Sequence, residues 1–217
     1  MAIHGIILDI DGTLLISNDA HARAWVRALG EEGLEVSFER VRPLIGMGGD
    51  QLAPRLGVPQ ESARFERVKE NWKRFFREEL PELAPVNGAR ELVEELLKRG
   101  LKIVYGTSAD EALLADLLKQ AGLADLNVPA TTASDVAASK PRPDIVLAAL
   151  RKLGLPAAEV LMIGDTPYDV EAASQAGVRT IFVRTGGFPD PEGVLASFDD
   201  AAQVRAHLDG LLHSSHG

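Results

Sequence analysis

The stretch that decides the fold lies near the start of the chain and reads Ile6-Ile7-Leu8-Asp9-Ile10-Asp11-Gly12-Thr13-Leu14. Its apolar first half predicts a β-strand that is buried on both faces, as in a parallel sheet. Strand side chains alternate between faces, so Asp9 and Asp11 leave the strand end on the same side, and Gly12 permits a tight turn after them. Paired carboxylates there indicate a functional site, although a surface Asp-x-Asp-Gly turn has the same composition.

Composition narrows the class of protein. At 217 residues, with 46% hydrophobic and 25% charged residues, the chain has the size for one core plus an insertion or for two modest domains. A net charge of -9 argues against a nucleic-acid partner. The absence of cysteine excludes disulfides, thiolate metal sites and cysteine nucleophiles. Because no signal peptide and no membrane span is recognisable, we expect a cytoplasmic protein without a membrane partner.

The pattern after the first strand is helical for some seventy residues. It predicts an inserted α-helical domain over residues 16–83, within a core domain formed by residues 1–15 and 84–217. Asn18 or Asp19 can cap a first helix, and a second, short helix is expected over 37–44. A glycine-rich loop at 46–50 follows, and then a long helix that contains Phe65, Trp72 and Phe76 on one side.

The rest of the chain alternates between strands and helices. Strands are predicted over 101–105, 128–131, 160–163 and 180–183, and helices around 92–97, 111–120, 145–153, 170–176 and 201–212, with a frayed tail at 213–217. Such alternation predicts right-handed crossovers and an α/β fold, a doubly wound and mostly parallel sheet covered by helices on both faces.

Ligands of an open parallel sheet bind at the carboxyl ends of its strands, so polar residues that follow apolar runs are informative. Thr107 and Ser108 follow the 101–105 strand and precede a helix, which predicts a phosphate site, although Ser108 can also simply cap that helix. Asp165 follows the 160–163 strand, and Asp169 lies one helical turn further on. The two carboxylates can face the same way, which favours a metal site over a plain turn.

Lys140 lies in Ser-Lys-Pro-Arg-Pro-Asp, where two prolines restrict the backbone. Most lysines are solvated surface residues, but this one is also compatible with a fixed ammonium that faces a phosphate. The hard oxygen ligands of the whole set suit Mg²⁺. A carboxylate can attack phosphorus, and a second carboxylate can protonate the leaving oxygen and later activate water.

Four stretches resemble, in order, the four motifs of the haloacid dehalogenase superfamily, namely Asp9-Ile10-Asp11-Gly12-Thr13-Leu14, Thr107, Lys140-Pro141 and Gly164-Asp165-Thr166-Pro167-Tyr168-Asp169. The resemblance implies a Rossmann-like core with a helical cap at 16–83 that closes over the site. It implies that Asp9 is the nucleophile and Asp11 the general acid/base. It also implies Mg²⁺ held by the Asp9 side chain, the Asp11 backbone carbonyl and Asp165, with Asp169 as support.

The resemblance further implies that Thr107, Lys140 and N–H groups near Ser108 bind the phosphoryl group. Dehalogenases and phosphonate hydrolases of this superfamily typically lack an aspartate at the position of Asp11. The chain therefore resembles a Mg²⁺-dependent phosphatase for a small phosphorylated metabolite, such as a sugar phosphate or phosphoglycolate. The sequence predicts no particular oligomeric state.

Two alternatives remain open at this stage. The stretch around His21 resembles the cap entry of β-phosphoglucomutases, where a histidine gates the acid/base, but His21 can also simply pack beside Trp25. Gly49 stands where those mutases have an arginine that grips a second phosphate, and Gly164 where they have a glutamate. These departures favour hydrolysis, with His21 and Gly49 as candidates for substrate specificity in the cap. A phosphate-binding member without turnover is the other alternative, and it would need neither acid/base nor metal groups.

Overall fold

A computed structural model describes residues 2–212 and shows one parallel sheet of six strands in the order β3-β2-β1-β4-β5-β6. The strands are β1 Gly5–Leu8, β2 Lys102–Gly106, β3 Ala130–Thr131, β4 Val160–Gly164, β5 Arg179–Val183 and β6 Ala196–Phe198. This order confirms the doubly wound α/β fold. The short strand β6 was not predicted, because its three half-buried residues form no apolar run. The predicted tail at 213–217 lies outside the described residues.

The first strand occupies the middle of the sheet. Leu8 pairs with Tyr105 of β2 on one side and with Ile163 of β4 on the other. The strand continues into Asp9, whose backbone N–H donates to the Ile163 carbonyl at 2.9 Å. The residues that follow β1, β2 and β4 therefore meet at one edge of the sheet, where ligands of such folds bind.

Ten α-helices lie in the described chain. Those between β1 and β2 are α1 Asn18–Glu31, α2 Phe38–Val41, α3 Gly49–Arg55, α4 Ala63–Glu79 and α5 Ala89–Lys98. The others are α6 Glu111–Gln120, α7 Asp144–Leu153, α8 Pro167–Gln175, α9 Ala201–Ala206 and α10 Leu208–Leu212. Helix α3 was not predicted, since its glycine and proline lower helix propensity, but its buried Leu52 and Ala53 hold it by packing. The predicted 201–212 helix is divided at His207.

The segment 16–83 leaves the core and returns to it at neighbouring points. Ile16 donates its N–H to the Ala84 carbonyl, and Val86 donates to the Leu14 carbonyl, both at 2.9 Å. Buried side chains of this segment and of the sheet belong to one continuous hydrophobic cluster. We refer to 16–83 as the helical insertion, and its assignment as a separate cap domain stays a prediction. No helix within residues 2–212 is long and apolar enough to cross a membrane.

Candidate active site

Three buried carboxylates meet at the carboxyl edge of the sheet. Asp9 follows β1, Asp165 follows β4, and Asp169 lies in the first turn of α8, and one oxygen of each lies within 4.8 Å of the others. Lys140 is 1% exposed, and its Nζ donates to Asp9 Oδ1 at 2.7 Å and lies 2.7 Å from Asp169 Oδ1. The lysine is thus a buried ion-pair partner, and the expectation of a solvated surface lysine is wrong.

Local structure fixes Asp169. Thr166 precedes α8 and forms a reciprocal capping box with it, in which the Thr166 hydroxyl donates to Asp169 Oδ2 at 2.7 Å and the Thr166 N–H donates at 3.1 Å. The cap satisfies N–H groups at the helix start and turns the carboxylate toward β1. The second oxygen, Oδ1, is then the one that faces Lys140.

Asp165 is held by side chains that are distant in sequence. Thr13 donates to Oδ1 at 2.8 Å, and Asn18 donates to Oδ2 at 2.7 Å. A Cβ at Gly12 or Gly186 would lie 2.0 Å from Asp165 Oδ2, so only glycine leaves room for this carboxylate at both positions. Gly12 also has a φ of 77°, which favours glycine on its own account.

Burial and charge perturb this cluster strongly. Burial raises the pKa of Asp9 well above its usual range; Lys140 opposes the shift, and Asp169 and Asp165 add to it. Burial, with the repulsion of Asp169, raises the pKa of Asp165 to about 7. Burial disfavours the ammonium of Lys140, but the charges of Asp169 and Asp9 hold its pKa above the usual value. The cluster therefore has more acidic groups than cationic partners.

That excess of acidic groups is the condition under which a divalent cation binds well. Carboxylate oxygens are the hard ligands that Mg²⁺ prefers, and it is held in proteins by one or two carboxylates together with water and substrate phosphate. The predicted metal residues Asp9 and Asp165, with Asp169 beside them, form the group of carboxylates that could hold the ion. The side chain of Asp11 lies outside this group.

Asp11 has a different environment. Its Oδ1 accepts a hydrogen bond from Ser17 Oγ at 2.7 Å and lies 2.8 Å from His21 Nε2. Burial tends to raise the pKa of Asp11, but the charge and hydrogen bond of His21, with the hydroxyl of Ser17, hold it below the usual value. The two carboxylates of the first motif thus belong to separate networks, one with Lys140 and one with His21.

The imidazole of His21 belongs to an aromatic stack. Its ring lies 3.8 Å from the ring centroid of Phe76 at 7° and 5.5 Å from that of Trp72, and Trp72 lies 5.6 Å from Trp25. The stacking partners of His21 come from α4, whereas the sequence suggested Trp25, one turn away on its own helix. His21 and Trp25 of α1 both stack on Trp72 of α4, because the two helices pack side by side.

A cavity of about 50 Å³ lies between the sheet edge and the helical insertion. The predicted site residues that line it are Asp9, Asp11, His21, Gly49, Thr107 and Ser108. The other predicted residues, Lys140, Asp165 and Asp169, lie behind Asp9 in the buried cluster. The structure therefore brings all the predicted site residues together, although only six of them line the cavity.

Thr107 and Ser108 lie between β2 and α6. The Thr107 hydroxyl accepts the N–H of Ala109 at 3.0 Å. Asp110 precedes the first residue of α6, so the alternative that Ser108 caps this helix is wrong. Ser108 Oγ donates instead to the carbonyl of Gly46 at 3.3 Å, across the boundary between core and insertion.

Sequence reasoning missed several residues of the site. Ser17 donates a hydrogen bond to Asp11, and Thr13 donates one to Asp165. Trp72 lines the cavity. Asn18 was expected to cap α1, but its amide donates to Asp165, and Ser17 occupies the capping position without a side-chain bond to the helix. A separation of 147 residues between Asn18 and Asp165 leaves no local signal for this contact.

Comparison with known proteins identifies the family. The sequence model described as Haloacid dehalogenase-like hydrolase matches residues 6–183. The chain belongs to this family. A phosphoglycolate phosphatase from Yersinia pseudotuberculosis is 32% identical over 219 residues, which cover 97% of this chain and 92% of that protein. The predicted class, a phosphatase of this family, is confirmed by such relatives, and the alternative of a member without turnover receives no support from them.

Two further matches differ in the share of the other protein that this chain covers. The Arabidopsis thaliana protein SUPPRESSOR OF QUENCHING 1, chloroplastic, is 34% identical over 192 residues, which cover 84% of this chain but only 18% of that protein. The crystal structure of a hydrolase from Pseudomonas syringae superposes with a TM-score of 0.89 at 31% identity, covering 95% of this chain and 98% of the other. The Rossmann-like α/β fold predicted from the resemblance is thereby confirmed.

Proposed function

We propose that this phosphatase hydrolyses small phosphate monoesters with Mg²⁺, through an aspartyl-phosphate formed on Asp9. One observation carries the proposal: Asp9 and Asp11 line the same cavity but belong to separate hydrogen-bond networks, Asp9 with Lys140 and Asp11 with Ser17 and His21. Neighbouring carboxylates in different environments can divide nucleophilic and acid/base roles between them. Such a division suits the transfer of a phosphoryl group to one carboxylate and of a proton to or from the other.

In the first step, a carboxylate oxygen of Asp9 attacks phosphorus and the bond to the ester oxygen breaks. Lys140 fixes the orientation of Asp9 through Oδ1. Asp11 gives a proton to the departing alkoxide, and then takes one from the water that attacks the aspartyl-phosphate. Ser17 and His21 hold Oδ1 of Asp11, so that Oδ2 is the oxygen proposed to carry the proton.

The remaining polar residues bind and neutralise the phosphoryl group. Thr107 and N–H groups near Ser108 contact its oxygens, and the ammonium of Lys140 offsets its charge. Mg²⁺, when held by the side chains of Asp9 and Asp165 and the backbone carbonyl of Asp11, supplies further neutralisation of the transferring group. Asp169 supports this arrangement by fixing Lys140.

Relatives and the cavity support the proposed substrate class, small phosphate monoesters. Several relatives are phosphoglycolate phosphatases, and a small ester of that kind is the proposed substrate class. The phosphomutase alternative is not favoured. Gly49, which lines the cavity, stands where the mutases have an arginine, and glycine has no charge to hold a second phosphate. A cytoplasmic location stays a prediction from composition.

The test is release of phosphate from p-nitrophenyl phosphate and from a panel of small phosphate esters, with Mg²⁺ and with a chelator. We expect turnover that requires Mg²⁺, and a fall in kcat on the order of 10⁴-fold or more in Asp9→Asn, because the amide cannot form the intermediate. Turnover of no ester above the Asp9→Asn background would overturn the proposal. Conversion of β-glucose 1-phosphate to glucose 6-phosphate without phosphate release would favour the mutase instead.

A further inference from the structure

A second chamber of about 210 Å³ adjoins the catalytic cavity. The two share four wall residues, namely Trp25, Gly49, Trp72 and Ser108. The chamber lies between the helical insertion and the core, with α4 on one side and the segment 133–139 on the other. An ester whose phosphate lies against Asp9 would therefore reach this chamber with its leaving group.

Three charged residues line the chamber, and two of them are already engaged. Asp50 Oδ2 accepts the N–H of Ser139 at 3.0 Å, and Asp110 Oδ2 lies 2.8 Å from Lys73 Nζ. Lys69 is half-buried, and within residues 2–212 it has neither an ion-pair partner nor a hydrogen bond from its side chain. Lys69 is therefore an ammonium in the chamber lining without a direct ion-pair partner within residues 2–212, whereas the Asp50 carboxylate is held by the neutral N–H of Ser139.

The position of Lys69 on its helix is unusual. Phe65, Trp72 and Phe76 are spaced four, three and four residues apart with Lys69 among them, so all four lie on one face of α4. This face carries the stacking partners of His21. A lysine within an apolar stripe is the informative exception, because such positions ordinarily hold hydrophobic residues.

Trp72 adds an unused donor. Its indole Nε1 is buried and has no acceptor among the described residues, although the ring lines both cavities. Buried N–H groups in folded proteins are nearly always paired, so an unpaired one that lines a cavity is open to a water or ligand acceptor. An ammonium and an N–H donor thus line the same space.

We infer that the second chamber is a subsite for an anionic group on the leaving group of the substrate, with Lys69 as its charged partner. The anion is a carboxylate or a second phosphate. Both offer acceptor oxygens to Lys69 Nζ and Trp72 Nε1, which have no acceptor among residues 2–212. The inference rests on the phosphatase function proposed above and narrows its substrate class.

The experiment compares esters that differ by the anionic group. Phosphoglycolate is paired with ethyl phosphate for the carboxylate, and glucose 1,6-bisphosphate with glucose 1-phosphate for the second phosphate. Lys69→Met should lower kcat/KM roughly tenfold or more for the ester of one pair whose leaving group carries the anion, while the ester with an uncharged leaving group changes by less than about twofold. Lys69→Arg should retain most of the preference. Lys119→Met removes the charge of an exposed lysine outside both cavities and serves as the matched control.

A binding measurement separates this inference from the function on which it rests. Calorimetric titration of the Asp9→Asn protein with the same four esters, with and without Lys69→Met, reports affinity without turnover. If esters are hydrolysed but Lys69→Met affects both members of each pair alike, or neither, the subsite is wrong and the phosphatase stands. If no ester is hydrolysed but anionic esters bind in a Lys69-dependent way, the phosphatase is wrong and the subsite stands. Binding of none of the four overturns the subsite.

Discussion

The core and the helical insertion differ in how their polar groups near the active site are used. On the core side, Asp9 and Asp169 share Lys140, and Asp165 accepts hydrogen bonds from Thr13 and Asn18. On the insertion side, Trp72 and Lys69 have no partner of their own in the described chain. The comparison suggests a division of labour. The core fixes reactive groups before substrate arrives, whereas the insertion leaves groups to be satisfied by the part of the substrate that varies.

The largest effect expected, beyond loss of the nucleophile, is that of Asp11→Asn. It should lower kcat by roughly 10²–10⁴-fold on an alkyl phosphate, because the amide cannot protonate the leaving alkoxide. The loss should be much smaller on p-nitrophenyl phosphate, whose leaving group needs no proton. Steady-state kinetics on both esters check this. A near-wild-type rate on the alkyl ester would remove Asp11 from the acid/base role.

Lys140→Met tests how much Lys140 stabilises the buried network of the core. The substitution leaves Asp9 and Asp169 buried without their ammonium partner, so the free energy of unfolding should fall by about 3–5 kcal/mol. Urea unfolding in the presence of a chelator measures it. Lys119→Met, at an exposed position, should change it by less than about 0.5 kcal/mol. Equal stability of the two variants would show that the network does not depend on Lys140.

Gly186→Ala tests the metal role of the same network. The added Cβ would lie 2.0 Å from Asp165 Oδ2 and must displace that carboxylate. In the wild type, Mg²⁺ at a hundred times its Kd should stabilise the fold by about 2.7 kcal/mol, and this increment should be mostly lost in the variant. Thermal unfolding with Mg²⁺ and with a chelator measures both.

The matched control for that substitution is Gly30→Ala in α1. A Cβ there meets no atom within 4 Å, so the Mg²⁺-dependent stabilisation should be retained in full. If Gly186→Ala also retained it, Asp165 would not be a ligand of the ion.

The smallest effect on catalysis is expected from a substitution in the helical insertion. Trp72→Phe keeps an aromatic ring beside His21 but removes the unpaired N–H. We expect kcat/KM to fall about two- to tenfold for an ester with an anionic leaving group, the range of one hydrogen bond. An ester with an uncharged leaving group should be affected less, and paired kinetics on phosphoglycolate and ethyl phosphate decide the point. An equal loss on both esters would assign Trp72 a packing role alone.

Much of the core side was predictable from the sequence. Asp9, Thr107 and Asp165 each follow an apolar run, and a parallel sheet brings the carboxyl ends of its strands to one edge. The insertion side was not predictable in the same way. Helical spacing showed that Trp72 and Phe76 share a face, but it did not show that His21 from another helix stacks on them. Helix α3 was missed because its packing, rather than its propensity, holds it.

The sequence by itself determined the α/β class, the order of the four motifs and the family, since these depend on local periodicity and on residues close together in the chain. Only the tertiary structure decided which partner each polar group of the site has. It paired Asp9 with Lys140, which is 131 residues away, and Asp11 with His21. Among residues 2–212 it also left Lys69 without an ion-pair or hydrogen-bond partner, beside a cavity. The physical reason is that pairing depends on the packing of elements far apart in sequence, and helical or strand periodicity carries no information about that packing.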